Sequence, residues 1–326
     1  MTRPRVRVAL PWLQPALAAA VASENLPSLE ALGWLGGRGR LRTRATADWR
    51  EWLLEPMGGA KVLAAAPAGP ALAARHGHAV DGTGSWCVAQ PVHLAAGLDH
   101  VRMSGLDAAS PTTEEAAALG TTISAHFGAD GPAIVAFVEG AWLLRFSTVV
   151  ECVTQPPDAV TGHDVHDSMP AGRDGARIRS LMNEIQMLMH EHPVNARRER
   201  ARQLPINGWW LWGFGAQSHP AGVDSRGWSM RSDDPWLRAL WPSAVTPAMT
   251  ALEGDTLIAM AQPPSPDNGQ ALAAIDAGLL HWLAALVRDG RIGQLDLVAG
   301  DRQLSLTPAA RWSFWRRPLP VRGWLQ

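Results

Sequence analysis

The pattern of apolar and polar residues predicts a strand followed by a helix near the start of the chain. Apolar residues alternate with arginine and alanine over residues 5–10, RVRVAL, which is the period of a half-buried strand. In the segment LPSLEALGWLGGRGR, Pro27-Ser28 is typical of a helix start and Gly36-Gly37 of a helix end. The Ala-, Pro- and Gly-rich stretch 60–74 predicts a connection with a weak helix.

The middle of the chain combines helices with a hairpin. Ser110-Pro111, followed by two glutamates, predicts a helix that runs to about residue 127, because a capping hydroxyl, a proline and acidic residues all favour a helix N-terminus. Segments 133–138 and 142–146 flank a Glu-Gly pair and predict two strands of a hairpin. Apolar residues at helical spacing predict an amphipathic helix over 174–190.

The C-terminal third predicts a parallel βαβ unit. Segments 255–260 and 295–298 have strand character, and apolar residues at helical spacing from Leu272 to Leu286 predict a helix that Gly290 ends. A strand–helix–strand order with this spacing implies a parallel crossover in a covered α/β sheet.

Composition and charge narrow the class of protein. Apolar residues make up 47% of the 326 residues and charged residues 18%, which is typical of a globular chain. The net charge of −1 provides no global basic field, so we expect no binding to nucleic acid or to a membrane.

Cys87 and Cys152 lie far apart in sequence, which suits reduced thiols in the cytoplasm. The apolar run up to Ala20 resembles a signal peptide, but Pro11 and Pro15 interrupt it and favour the strand interpretation.

Two groups of residues carry side chains that could bind a metal ion or a small anion. His163, Asp164 and His166, in the sequence HDVHD, are residue types that bind zinc, iron or manganese, although they match no known spacing and could equally stabilise a loop. Asp267 is a further candidate metal ligand. No G-x-S-x-G sequence marks a serine nucleophile.

The second group is a cluster of arginines beside uncharged polar residues. Arginines 197, 198, 200 and 202 could form a solvated helix face or bind phosphate or carboxylate in bidentate fashion. The neighbouring side chains favour a small anion as ligand. The predicted ligand-binding residues are His192, Asn195, Arg198 and Asn207, with Arg197 and Trp212 as second choices.

The same segment carries a resemblance to a known family. His192-Pro193-Val194-Asn195, Arg198, Pro205, Asn207 and the run Trp210–Gly215 resemble the HPVN-x-x-R, turn and W-x-W-G-x-G segments of cofactor-independent phosphoglycerate mutases. The blocks PVHLAAGLDHVRM, at 91–103, and LMNEIQMLMHEHPVN, at 181–195, more closely resemble a proteobacterial group of regulatory proteins named for regulation of pathogenicity factors, type E.

The resemblance implies a fold and a domain arrangement. It implies an alkaline-phosphatase-like α/β core with a parallel sheet, formed by residues 1–85 and 206–326, and an inserted α+β domain at 86–205. In the mutases the core binds two divalent metal ions through Asp and His ligands, and a serine transfers phosphate between hydroxyls.

Several of the expected catalytic positions differ in this chain. The first strand ends in ALPW where the family has Asp-Gly, the loop PPSPDNG retains only Asp267, and Asp301 is followed by Arg302 instead of His. We therefore expect a catalytically degenerate mutase relative that binds a small anionic metabolite or a protein partner. One alternative is an active phosphomutase or phosphatase that uses Mn or Mg on rebuilt ligands, Asp81 among them; another is a structural or interaction protein.

Overall fold

The computed structural model describes residues 3–44, 48–97, 100–105, 109–129, 131–217, 224–247, 249, 251–313 and 315–325. The chain divides into two compact units, one formed by Met1–Val62 with Gly222–Gln326 and the other by Leu63–Ala221.

Twelve strands lie in the part of the chain that the structure describes. In chain order they are β1 (Arg5–Ala9), β2 (Arg40–Thr43), β3 (Trp86–Val92), β4 (Leu94–Ala96), β5 (Val101–Met103), β6 (Ala133–Val138), β7 (Ala141–Arg145), β8 (Gly208–Gly215), β9 (Ser229–Ser232), β10 (Thr256–Ala259), β11 (Gln294–Ala299) and β12 (Arg302–Leu306).

The same residues contain thirteen α-helices. They are α1 (Leu13–Ala22), α2 (Glu30–Arg38), α3 (Trp49–Leu53), α4 (Ala60–Ala65), α5 (Ala68–Arg75), α6 (Thr113–Phe127), α7 (Pro157–Val160), α8 (Gly175–His190), α9 (Pro193–Arg200), α10 (Pro235–Leu240), α11 (Asn268–Ile275), α12 (His281–Arg288) and α13 (Arg322–Leu325).

The first unit is built on a six-stranded sheet in the order β2-β12-β11-β1-β10-β9. The four strands β11, β1, β10 and β9 are parallel, and β12 and β2 extend the sheet in antiparallel fashion. The predicted βαβ unit is confirmed: α11 and α12 connect β10 to β11, and β1 lies between these two strands. Strand β10 is buried along its whole length, as expected for a parallel strand with both faces covered.

Helices α1, α2, α11 and α12 contribute to the apolar core of this unit. The sequence interpretation missed α1, because an Ala-rich run with a proline in its first turn resembles a connection or a leader as much as a core helix. Helix α2 begins at Glu30, later than the predicted Pro27-Ser28. The carboxylate of Asp276 explains this start, since it accepts the N–H groups of Ala31 at 3.1 Å and Leu32 at 2.7 Å.

A π-helical turn, Asp276–Leu280, joins α11 to α12. The continuous helical run Asn268–Arg288 is long and apolar enough to cross a membrane by length and composition. Within the structure, 56% of its most apolar window is buried, and the core helix of a globular unit satisfies the same criteria.

The second unit contains an antiparallel sheet in the order β6-β7-β3-β8 and a small β4-β5 ribbon. The predicted hairpin is confirmed as β6 and β7, and its turn residues Glu139 and Gly140 both have positive φ angles, of 50° and 83°. The predicted helices are also confirmed as α6 and α8. The N-cap of α6 is Thr112 rather than Ser110, because Thr112 and Glu115 form a reciprocal capping box.

The unit boundaries differ from the domain boundaries expected from the resemblance, 1–85, 86–205 and 206–326. Helix α5 packs against β3 and β8, and β8 pairs with β3, so both elements belong to the second unit. The expected boundaries at 85/86 and 205/206 therefore fall inside Leu63–Ala221. The contact between α5 and the sheet is close: a Cβ at Gly69 would lie 2.6 Å from the backbone of β3.

Candidate functional site

Asn195 lies in the first turn of α9 and is 3% exposed. Its amide nitrogen donates to the carbonyl oxygens of Met189 at 2.7 Å and Ile206 at 2.8 Å. Its amide oxygen accepts the N–H of Ile206 at 2.8 Å. The side chain thus ties the end of α8 to the segment that leads into β8.

His192 is the N-cap of α9, where its Nδ1 accepts the N–H of Val194 at 3.2 Å. An accepting Nδ1 places the proton of a neutral ring on Nε2, which lies 2.9 Å from the hydroxyl of Thr122 in α6. Burial, with a smaller contribution from the Arg197 charge, lowers the pKa of His192. Both effects favour the neutral ring that this hydrogen-bond pattern requires.

Arg198 and Asn207 complete the same arrangement. The Arg198 guanidinium is 4% exposed, pairs with Glu115 at 2.8 Å, and also donates to the carbonyl oxygens of Leu204 and Ser110. Asn207 accepts the N–H of Leu94 at 2.7 Å and donates to the carbonyl of the same residue at 2.8 Å. We refer to His192, Asn195, Arg198 and Asn207 as the motif clasp, because their side chains connect α6, α8, α9, β4 and the start of β8.

The two second-choice ligand residues lie in contrasting environments. Trp212 is 7% exposed within β8, in register with Val88 of β3, and therefore belongs to the core of the second unit. The next residue, Gly213, lies close to the start of α5: its φ is +67°, and a Cβ there would lie 2.7 Å from the Cβ of Ala68. Arg197 is exposed on α9, and within the described residues its guanidinium makes no hydrogen bond or ion pair.

The candidate metal ligands form hydrogen bonds that stabilise local turns. Asp164 caps a 3-10 helix, Val165–Ser168, by accepting the N–H of His166 at 3.1 Å, and this bond lowers the pKa of Asp164. The Nδ1 of His163 lies 3.2 Å from the carbonyl oxygen of Thr161. Asp81 of the rebuilt-ligand alternative accepts from the N–H and hydroxyl of Thr83, and these bonds lower its pKa.

No group of three or more His, Cys, Asp or Glu side chains with metal-binding geometry occurs among the residues that the structure describes. Asp267 lies in the first unit, where it caps α11 by accepting the N–H of Gln270 at 2.7 Å. His163, Asp164 and His166 lie in the second unit.

The carboxyl edge of the parallel sheet brings together residues that the sequence interpretation treated separately. In open α/β sheets, ligands bind outside the carboxyl ends of the strands. Strands β1, β10 and β11 are in register, so the segments that follow them lie at the same edge. The indole N–H of Trp12 donates to the carbonyl of Met260 at 3.0 Å, and the N–H of Asp301 donates to the side chain of Gln14 at 3.0 Å.

An ion pair that was not predicted lies after β9. Asp234 is 2% exposed and accepts from the guanidinium of Arg50 at 2.8 and 3.1 Å, while its other oxygen caps α10 through the N–H of Leu237. The same guanidinium lies 3.5 Å from Asp48 and over the ring of Trp49. Two consecutive aspartates followed by Pro235 are a helix-start signal that could have located this site.

Asp233, the neighbour of Asp234, points to the loop that follows β10. It accepts the N–H of Ala261 at 2.6 Å, and burial raises the pKa of its carboxyl group, with a further contribution from the charge of Asp234. Asp301, after β11, lies 3.3 Å from the guanidinium of its neighbour Arg302.

The largely parallel, helix-covered sheet confirms the predicted α/β class, and comparison with known proteins indicates the relationship. No known sequence-family profile matches the chain. The 2,3-bisphosphoglycerate-independent phosphoglycerate mutase of Methanosarcina barkeri is 28% identical over 123 residues, which are 36% of this chain and 30% of that protein. That of Methanothrix thermoacetophila is 37% identical over 65 residues, 20% of this chain and 17% of that protein. The matched segments thus span less than a third of these relatives.

Solved structures are similar over nearly the whole chain. The PH0037 protein from Pyrococcus horikoshii has the same fold, with a TM-score of 0.50 and 11% identity over 98% of this chain and 91% of that one. The cofactor-independent phosphoglycerate mutase from Thermoplasma acidophilum has a TM-score of 0.40 and 15% identity over 93% of this chain and 89% of that one. Over the matched segments the chain is similar to cofactor-independent phosphoglycerate mutases, which agrees with the family resemblance of its sequence.

Proposed function

We propose that this protein is a phosphoglycerate-mutase-like regulatory protein that binds a small phosphorylated acid and lacks two-metal mutase chemistry. The proposal rests on the bonds that the carboxylates at the carboxyl edge of the sheet make within their own unit. Asp233, Asp234, Asp267 and Asp301 are each engaged by an arginine or by backbone N–H groups of the same unit.

The Arg50–Asp234 pair is the strongest part of this argument. A divalent ion at Asp234 would have to displace the guanidinium of Arg50, whose side chain is only 6% exposed. Breaking a buried pair leaves an uncompensated charge and costs about 3–5 kcal/mol. An arginine at this position therefore opposes a metal ion there, although the acidic residue remains.

The ligand contact that we propose is Arg197. The polar atoms of the motif clasp are used in bonds within the second unit, whereas Arg197 presents an exposed guanidinium five residues after His192. Guanidinium groups bind phosphate and carboxylate in bidentate fashion, and a phosphorylated three-carbon acid carries both. The regulatory role is supported by the resemblance to the regulatory proteins for pathogenicity factors, type E.

Isothermal titration with 2- and 3-phosphoglycerate tests the binding. We expect binding by the wild type that Arg197→Gln weakens about tenfold or more, because a charge-assisted hydrogen bond contributes about 1.5–3 kcal/mol. The matched control is Arg202→Gln, which changes another exposed arginine just after α9. Absence of binding by the wild type, or equal loss in both variants, would reject the assignment.

Metal analysis and a mutase assay with Mn or Mg test the absence of catalysis. We expect metal well below one equivalent and no turnover. Stoichiometric metal with turnover would instead identify an active phosphomutase with rebuilt ligands. A stable protein partner in cross-linked size-exclusion fractions, without any response to ligand, would identify an interaction protein.

A further inference from the structure

We propose that the first unit carries a docking surface for an anionic phospholipid bilayer. The surface, which we name the basic face, consists of Arg38, Arg288 and Arg311 with Trp34, Trp312 and Trp315. It is distinct from the motif clasp and from the carboxylates at the carboxyl edge of the sheet.

The first half of the basic face is formed by the C-terminal ends of α2 and α12. The guanidinium groups of Arg38 and Arg288 lie over the ring of Trp34, at 4.6 and 4.4 Å from its centroid. Burial and the nearby charge of Arg288 lower the pKa of Arg38. Neither arginine has an ion-pair partner among the described residues, so two cations share one aromatic ring without a protein counter-charge.

The second half of the basic face lies next to the C-terminal end of α12. The Arg311 guanidinium packs against Gly290, two residues beyond Arg288, and lies 4.8 Å from the ring centroid of Trp312. A Cβ at Gly290 would also lie 3.8 Å from the guanidinium of Arg3. The one acidic side chain of this turn, Asp289, is exposed and makes no ion pair within the described part of the chain.

The exposed tryptophans distinguish this surface from a purely electrostatic one. Trp312 is 64% exposed and Trp315 is 69% exposed, and the exposed residues Arg316 and Arg317 follow them. The backbone of Arg317 packs against Gly37 near the end of α2, which places the segment 315–317 beside Arg38. Tryptophan rings favour the headgroup level of a bilayer, and arginines next to them attract anionic lipids.

The alternative occupant of such a surface is single-stranded nucleic acid, whose bases would stack on the aromatic rings. The geometry disfavours it, because guanidinium groups already cover Trp34 and Trp312. The net charge of −1 predicts no attraction between the molecule as a whole and a membrane. The proposal concerns a local surface, which acts within about 8–10 Å at physiological ionic strength.

Co-sedimentation of the full chain with vesicles tests the proposal. The vesicles are phosphatidylcholine alone or phosphatidylcholine with phosphatidylglycerol. We expect binding only to the vesicles with phosphatidylglycerol, and weaker binding at high salt. In the triple variant Arg38→Gln, Arg288→Gln and Arg311→Gln, binding should fall about 100-fold, since each basic residue near the surface contributes about fivefold.

Matched controls make the result specific. Substitution of three exposed arginines of the second unit, Arg173, Arg200 and Arg202, by glutamine removes the same charge and should leave binding unchanged. The double variant Trp312→Ser and Trp315→Ser should weaken binding even at high salt, where arginine contributes least. Circular dichroism verifies folding, and Arg288→Gln alone, at an exposed position, replaces the triple variant if that variant does not fold.

Three outcomes would overturn the proposal. The first is no binding of the wild type to phosphatidylglycerol vesicles, and the second is equal loss of binding in both arginine triples. The third is binding to a single-stranded oligonucleotide, without vesicle binding, that the basic-face triple abolishes; it would assign the surface to nucleic acid.

Discussion

Replacement of Asn195 by alanine separates the two roles that the motif clasp could have, namely stabilising the second unit and binding a ligand. If the side chain acts as the structure shows, Asn195→Ala removes three buried hydrogen bonds and leaves the N–H of Ile206 without its acceptor. Each bond contributes about 1 kcal/mol, and a buried unsatisfied group costs about 1–3 kcal/mol, so the free energy of unfolding of the second unit should fall by about 4–6 kcal/mol.

Urea denaturation followed by circular dichroism measures this loss. With a slope of about 1–3 kcal/mol per molar urea, the midpoint should move by about 1 M or more. Asn183→Ala is the matched control, because Asn183 is exposed on α8 and lacks these bonds. Unchanged stability of Asn195→Ala together with a loss of phosphoglycerate binding would refute the reasoning and restore Asn195 as a ligand residue.

Four further perturbations follow from the structure. Arg50→Met should lower the free energy of unfolding by about 3–5 kcal/mol in denaturant titration, because it leaves Asp234 buried and unpaired. Burial raises the pKa of Asp233 in the folded protein. The protonated carboxyl group therefore stabilises the fold at pH values below the ordinary carboxyl pKa, and this stabilisation is lost as the pH rises through the raised pKa. Asp233→Asn should therefore gain thermal stability relative to wild type between about pH 4 and pH 7. Gly213→Ala should cost at least about 2 kcal/mol by urea titration, because its φ is +67° and a Cβ would collide with α5. Burial raises the pKa of Cys152 to about 11, so iodoacetamide should alkylate the folded protein slowly at neutral pH.

Each of these predictions has a contrary result. An Arg50→Met variant as stable as the wild type would show that buried Asp234 does not depend on the guanidinium for its stability. A stability difference between Asp233→Asn and wild type that does not change with pH would show that Asp233 is not destabilised by burial. Gly227→Ala is the control for Gly213→Ala, since it has a similar φ of 82° with open space around it. Alkylation of the native thiol as fast as in denaturant would contradict the raised pKa.

The regular elements could be predicted because their local signals agree with their burial. The alternation in β1, the helical spacing in α8 and the hairpin of β6 and β7 each place apolar residues on a face that the fold covers. Helix α2 shows the limit of such signals. Its start depends on Asp276, about 245 residues further along the chain, and no local pattern records that contact.

The candidate site was harder to predict, because the side chains that bind small anions also satisfy buried backbone groups. Asn195 and Asn207 have the same donors and acceptors whether their partner is a phosphate or a peptide bond. Only the three-dimensional distances show that the partners are Met189, Ile206 and Leu94. The Arg50–Asp234 pair was missed for a related reason, since 184 residues separate its members.

The central position of β1 has a consequence for how the chain acquires its fold during synthesis. Both hydrogen-bonding partners of β1, the strands β10 and β11, lie more than 240 residues later. Until the ribosome has released them, β1 presents two unpaired edges and an apolar surface to the cell. Leu63–Ala221, by contrast, is contiguous and can become compact while the rest is still being made. We therefore expect the nascent N-terminal segment, rather than the contiguous middle of the chain, to depend on chaperones.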